Sequence, residues 1–133
     1  MVKCINNFTC NDDSEPLLIN KQLLYDYKDA GDDFLIGIKR NLTRSLVDYH
    51  LFQELQEINN SFFVIIDYLD CGHYYNVSEV MKDKDVLKNK LNIFIKNCKP
   101  NVGIDIFDDI DYNCKQLMLV MQKLITIVTK INK

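Results

Sequence analysis

The chain is poor in residues that interrupt helices or build most catalytic sites. Its 133 residues include no Trp, two Pro, four Gly and two His. So little Pro and Gly excludes a collagen-like chain and argues against disorder. No apolar run reaches the roughly 18 residues of a membrane-spanning helix, so we expect no membrane insertion. Lys and Arg form no run, and the net charge is −3, so no nucleic-acid partner is indicated.

No recognisable active-site motif is present. His50 and His73 are isolated, and the Cys-x-His spacing of Cys71 and His73 has no second pair to complete a zinc site. There is no Gly-rich phosphate loop, no G-x-S-x-G and no Ser-His-Asp set. Four Asp within residues 105–111 are better explained by the dipole of a helix that starts there than by a bound cation. We therefore expect a non-enzymatic protein with no metal and no cofactor.

The strongest pattern is the apolar periodicity of the last thirty residues. After Gly103 there is no Gly or Pro, Asp residues lie at the start of the segment, and Lys residues lie at its end. This arrangement predicts a long amphipathic helix over residues 105–131, because apolar residues at alternating spacings of four and three form one stripe. The stripe consists of Ile106, Ile110, Cys114, Leu117, Met121, Leu124, Val128 and Ile131.

Two further long helices are predicted in the middle of the chain. Residues 43–70 contain no Gly or Pro and keep the same four-and-three spacing of apolar residues. Residues 61–66 alone would fit a strand, but the length and the period favour a helix. Residues 77–98 form the next predicted helix, with Asn76 as its N-cap and Pro100 after its end.

The first third of the chain predicts two separate helices. A main helix over residues 15–30 begins near Pro16 and stops at Gly31. A short one over residues 33–41 follows, weakened by Gly37. Residues 1–13 are a polar lead-in. The expected fold is therefore a single all-α domain over residues 1–133, resembling a four-helix bundle with one additional short helix.

Four sequons suggest a glycoprotein. Asn7, Asn41, Asn59 and Asn76 each begin an N-x-S/T motif, and these motifs use four of the eight Ser and Thr residues. An Asn-rich composition produces some sequons by chance, but four exceed that expectation. Asn59 lies in the middle of a predicted helix, so Asn7, Asn41 and Asn76 are the better candidates. Sugars there would mark surfaces that are not the binding interface.

The five cysteines, together with the sequons, favour a secreted protein. Two disulfide bonds and one spare thiol would suit a secreted protein, and the spare thiol could join two chains in a homodimer. Among the many pairings we favour Cys4 or Cys10 with Cys98, and Cys71 with Cys114. Five free thiols in the cytosol are the alternative. The first ten residues lack the form of a signal peptide, so the chain is either cytosolic or a mature sequence after an added Met.

A helical domain without catalytic groups usually works by presenting a face to another protein. Tyrosines often anchor such interfaces, although an AT-rich coding sequence would also enrich them. Both explanations stay open for this chain. The tyrosines concerned are Tyr25, Tyr27, Tyr49, Tyr68, Tyr74 and Tyr75.

The order of elements resembles the secreted helical cytokines, among which interferon-gamma and the interleukin-10 group are most similar. The resemblance covers the DAG that ends the first helix at residues 29–31, the short FLIGI helix at 34–38, and the long helix ending at Leu69. It also covers KQL at residues 115–117. It implies an immunomodulatory ligand that binds a host receptor, acts as a dimer and, given its Asn, Lys, Ile and Tyr usage, is a viral mimic. The link over residues 98–104 is shorter than that family's extra helix requires.

A second resemblance points to a different class. YHLFQEL at residues 49–55, INN at 58–60 and GHYYNV at 72–77 are similar to stretches of the poxviral B-cell-lymphoma-like proteins. This resemblance implies a viral inhibitor of apoptosis or innate immune signalling in the host cytoplasm, with free cysteines. It would act by protein–protein binding, through a groove or a surface face.

Overall fold

In a computed structural model, residues 19–71 and 77–131 are described, apart from the side chains of Cys71 and Ile131. This part of the chain contains four α-helices and no strand. The helices are α1 (Lys21–Ser45), α2 (Tyr49–Cys71), α3 (Val77–Cys98) and α4 (Ile104–Ile131). The all-α, bundle-like prediction is thereby confirmed.

The four helices form a ring in which each one runs antiparallel to the next. Hydrogen bonds between side chains show these helix directions. The start of α1 meets the end of α2, and the end of α3 meets the first half of α2. The backbones of α1 and α3, and of α2 and α4, do not approach each other, and α1 packs most extensively on α4. The bonded pairs are Lys21–Asp70 (2.8 Å), Asn97–Glu54 (3.0 Å) and Lys84–Gln122 (3.2 Å).

The core lies inside this ring and is built from the predicted stripes. In α4, Ile110, Cys114 and Leu117 have no exposed surface, and Leu124 is equally buried. Ile106, at the start of the predicted stripe, is half-buried. Full burial of such aliphatic side chains stabilises the fold by about 1.5–3 kcal/mol each. Periodicity alone therefore identified the face of α4 that the other helices cover.

The prediction of two separate helices, over residues 15–30 and 33–41, is wrong, because one continuous helix covers this part of the chain. α1 runs from Lys21 to Ser45, through both Gly31 and Gly37. Residues 19 and 20 are not helical, and the Asn20 side chain caps α1 by accepting a hydrogen bond from the Leu23 backbone N–H at 3.1 Å. The predicted start near Pro16 lies outside the described residues.

Gly31 serves close helix packing rather than helix termination. A Cβ atom at Gly31 would lie 2.7 Å from Cε2 and 2.9 Å from Cε1 of the Phe62 ring on α2. The ring is fully buried against the bare backbone of α1. Gly37 faces α4, where a Cβ would meet the Asn113 side-chain amide at 3.1 Å. The two glycines thus let α1 accept side chains from both of its neighbours.

The boundary between α1 and α2 also differs from the prediction. Residues 43–45 belong to α1, and α2 begins only at Tyr49. Leu46 ends α1 in the left-handed conformation, with φ of 54°, and its N–H donates to the Thr43 carbonyl at 3.3 Å. Asp48 then accepts a hydrogen bond from the His50 backbone N–H at 3.0 Å. The sequence carries no Gly or Pro at this turn, so nothing in it indicated that one helix ends and another begins there.

Candidate binding groove

Two of the four predicted glycosylation residues lie inside described helices. Asn41 is buried in α1 with 6% exposure, and its Oδ1 accepts a hydrogen bond from Arg44 Nη1 at 3.3 Å. A sugar there would require the side chain to leave the core, so the structure argues against Asn41 as a surface site. Asn59 is half-buried in α2. Asn7 and Asn76 lie outside the described residues, and use of any sequon stays a prediction.

The two cysteines whose side chains are described are free and buried. Cys98 closes α3, and Cys114 lies in the core stripe of α4. Burial raises the pKa of the Cys98 thiol to about 12 and the pKa of the Cys114 thiol further still. Both are therefore neutral thiols that behave as small apolar side chains. Cys4, Cys10 and the Cys71 side chain lie outside the described part, so the predicted disulfide pairings find no support here.

The other polar candidates do not converge on a site. His50 is exposed on the first turn of α2. In residues 19–71 and 77–131, no three His, Cys, Asp or Glu side chains are placed to hold a metal ion. Asp111 at the start of α4 instead pairs with Lys115, one turn later, at 2.8 Å. None of the four described helices has the length and hydropathy that crossing a bilayer requires.

A solvent-open groove with a volume of about 810 Å³ lies between α1 and α2. We call it the α1–α2 groove. Its α1 wall follows the spacing i, i+3, i+4, i+7, which places those residues on one helix face. Its α2 wall repeats similar spacings over four turns. The α1 wall is Asp32, Leu35, Ile36 and Lys39, and the α2 wall includes Tyr49, Phe52, Gln53, Gln56, Asn59 and Phe63.

The groove has an apolar floor and one exposed apolar side chain on each wall. Leu35 and Leu55, each 6% exposed, form the floor, and Phe52 is half-buried beside them. Ile36 on α1 and Tyr49 on α2 are 54% and 72% exposed, and the other exposed lining residues are polar. An apolar surface with polar residues around it is of the kind that protein partners cover. The groove can therefore bind an apolar stripe along its length.

Charge is distributed unevenly along this groove. Lys28 pairs with Asp32 at 3.1 Å, and its ammonium lies 5.4 Å from the centre of the Phe63 ring. The hydrogen bond that Lys28 donates to Asp32, together with the negative charge of that carboxylate, raises the pKa of Lys28. This end is thus electrically balanced, whereas Lys39, toward the other end, forms no ion pair with any described residue. The charged residues of the lining are one carboxylate, Asp32, and one ammonium, Lys39.

The sequence did not predict this groove, although residues 34–38 and 49–55, Asn59 and Tyr49 all stood out in it for other reasons. Its apolar pattern held one indication, because Phe52 and Phe63 lie beside the core stripe of α2 rather than within it. Apolar residues beside a stripe widen the buried face of a helix in most bundles. Whether they are covered depends on how closely the neighbouring helix approaches, which periodicity does not report.

No protein-family model, curated protein or solved structure matches this chain.

Proposed function

We propose that this protein is a non-enzymatic regulator that binds an amphipathic helix of a partner protein in the α1–α2 groove. The observation that carries the proposal is the exposure of Ile36 and Tyr49 on opposite walls above an apolar floor. A partner helix with apolar residues at i, i+3, i+4 and i+7 would cover both walls at once. Such binding requires no catalytic group.

The dimensions of the groove suit a helix. From Tyr49 to Phe63 the α2 wall is about 21 Å long, at a rise of 1.5 Å per residue. A partner helix of about four turns would match that length. Its diameter of roughly 10–12 Å exceeds what the groove encloses, so one face would insert and the opposite face would remain in solvent. An amphipathic sequence satisfies both requirements.

Of the two expected roles, groove binding fits the cytosolic inhibitor of apoptosis or innate signalling better. That class acts by accepting partner segments, and buried neutral thiols such as Cys98 and Cys114 require no oxidising compartment. The role of a secreted, cytokine-like ligand for a host receptor, with sugars, disulfides and a homodimer, stays a prediction. Neither resemblance is tested by the geometry of the groove.

A crosslinking experiment with matched variants tests the proposal. A photoreactive amino acid replaces Gln53, an exposed residue of the α2 wall, and the protein is exposed to an animal-cell extract before irradiation. Ile36→Glu places a charge in the groove, and Ile93→Glu is the control. Both residues are exposed isoleucines within helices, at 54% and 57% exposure, but Ile93 lies on α3 outside the groove.

We expect a crosslinked partner segment with helical apolar spacing, at least tenfold less of it with Ile36→Glu, and no change with Ile93→Glu. A synthetic peptide of that segment should gain helical circular dichroism on binding. Equal loss in both variants, or a segment that stays unfolded when bound, would contradict helix binding in the groove. Unchanged helicity of the free variants confirms that neither substitution unfolds the protein.

A further inference from the structure

A second, smaller crevice lies between α3 and α4. Its volume is about 240 Å³. Leu87 and Met121, each 1% exposed, form its base, and Met118 lies half-buried beside them. We call it the α3–α4 crevice. No residue of the α1–α2 groove contributes to it, so the two features are separate.

Two lysines flank the apolar base of this crevice. Lys84 and Lys88 are one turn apart on α3, on either side of Leu87 in the sequence, and both line the crevice. The α4 side of the crevice is lined by Met118, Leu119, Met121 and Gln122 and carries no charged residue. The charged residues of the lining, Lys84 and Lys88, are both cationic, although the chain as a whole has a net charge of −3. A positive potential over a concave surface attracts anions.

The Lys84 ammonium group has N–H donors left for a further acceptor. Its side chain is only 18% exposed, and its ammonium donates to the neutral amide oxygen of Gln122 at 3.2 Å. Lys84 also forms an ion pair with Asp85, but at 3.7 Å and with the carboxylate 67% exposed, a separation that is too long for a hydrogen bond. An ammonium has three N–H donors. Lys88 is exposed and forms no ion pair with any described residue. Both ammonium groups can therefore donate hydrogen bonds to an anionic ligand.

We propose that the α3–α4 crevice binds a medium-chain fatty acid. The carboxylate would accept charge-assisted hydrogen bonds from Lys84 and Lys88, and the alkyl chain would cover Leu87, Met118 and Met121. At roughly 30 Å³ for a group the size of a water molecule, the crevice holds a chain of about eight such groups. Methionine thioethers adapt readily to an alkyl chain.

The shape of the crevice favours a single fatty acid over a membrane surface. Proteins that lie on membranes insert a protruding apolar helix face into the lipid. Here the apolar atoms of Leu87 and Met121 form the bottom of a depression instead. One chain from solution can reach them, whereas the packed chains of a bilayer cannot.

The methionines allow a direct test. Met118 and Met121 line the crevice, and Met81, which is 37% exposed on α3, does not. In protein labelled with ¹³C at the methionine methyl groups, decanoate is titrated below its micelle-forming concentration. We expect the methyl signals of Met118 and Met121, assigned by Met→Leu variants, to shift saturably while that of Met81 stays in place.

Charge-matched variants test the role of the lysines. The double variant Lys84→Gln with Lys88→Gln removes two charges from the crevice, and the control Lys82→Gln with Lys96→Gln removes two from elsewhere on α3. We expect the dissociation constant for decanoate to rise at least tenfold in the first variant and less than twofold in the control. The exposed single variant Lys88→Glu should weaken binding as well, without risk to the core.

Uncharged and membrane probes complete the design. 1-Decanol should bind the unaltered protein at least tenfold more weakly than decanoate. Equal binding of the two probes, shifts at Met81 as large as those at Met118, or no saturable shift would overturn the proposal. Binding to vesicles of phosphatidylglycerol and phosphatidylcholine without binding to decanoate would overturn it too, because Lys84 and Lys88 would then serve a membrane surface.

Discussion

Replacing Gly31 by Ala probes the closest packing between α1 and α2. The new methyl carbon would lie 2.7 Å from Phe62 Cε2 and 2.9 Å from Cε1, and closer still to Cζ. Phe62 has no exposed surface, and its ring packs edge-on against Phe63 at a centroid distance of 5.6 Å. The ring therefore has no free space to move into, and one of the two helices must shift.

Two opposing effects set the magnitude. Ala in place of Gly in a helix interior favours folding by about 1 kcal/mol. Overpacking a core costs about 1–3 kcal/mol, and contacts below 3 Å with a rigid ring belong at the upper end of that range. The expected net destabilisation for Gly31→Ala is about 1–2 kcal/mol. At Gly37 the methyl group would meet only the movable amide of Asn113 at 3.1 Å, so Gly37→Ala should be neutral or stabilising by up to about 1 kcal/mol.

Urea unfolding followed by circular dichroism at 222 nm measures both free energies. A second change, Phe62→Leu, removes the ring, so Gly31→Ala should cost less in that background than in the unaltered protein. That non-additivity is expected for residues in contact. If Gly31→Ala is as stable as Gly37→Ala, or if its cost is the same with and without the Phe62 ring, the methyl group does not clash with that ring.

Three further outcomes follow from the turn, the ion pair and the buried thiols. Leu46→Gly should raise the free energy of unfolding by about 0.5–1 kcal/mol, because glycine adopts the left-handed conformation (φ 54°) without strain; no gain in the urea midpoint would contradict this. The hydrogen bond from Lys21 lowers the pKa of Asp70, so this contribution to stability is present above the unfolded carboxyl pKa of about 3.9 and is lost as pH falls through the lower folded pKa. Asp70→Asn should therefore lose stability near neutral pH but not at pH 2, as urea titrations at the two pH values would show. Cys98 and Cys114 should resist iodoacetamide in the native protein and react in urea, as read by peptide mass spectrometry; rapid native labelling of either would exclude the buried placement.

The sequence alone determined the helices with unbroken apolar stripes. Ile110, Cys114 and Leu117 were expected to share one face of α4, and all are fully buried. The bounds of α3, Val77–Cys98, agree with the predicted range of 77–98. These features depend on local periodicity and on capping residues, which act within a few turns of the chain. They could be predicted because no distant residue alters them.

Gly31 in α1 shows why a helix end cannot be predicted from neighbouring residues alone. Gly31 has the same local signature whether it ends a helix or admits a neighbouring ring, and only the position of Phe62, 31 residues later, decides between them. Leu46 shows the converse, because it adopts a glycine-like conformation without being glycine. Both outcomes follow from how α1 must meet α2, which is a contact between distant parts of the chain.

The candidate site likewise depends on tertiary structure. Ile36 and Leu35 are adjacent apolar residues on α1, yet one is 54% exposed on the groove rim and the other is 6% exposed on its floor. The helical period places Ile36 beside the buried face of α1 rather than on it, and how closely α2 approaches that flank decides how much of Ile36 is covered. Helix formation is governed by neighbours along the chain, whereas a binding surface is whatever apolar area the packed helices fail to cover.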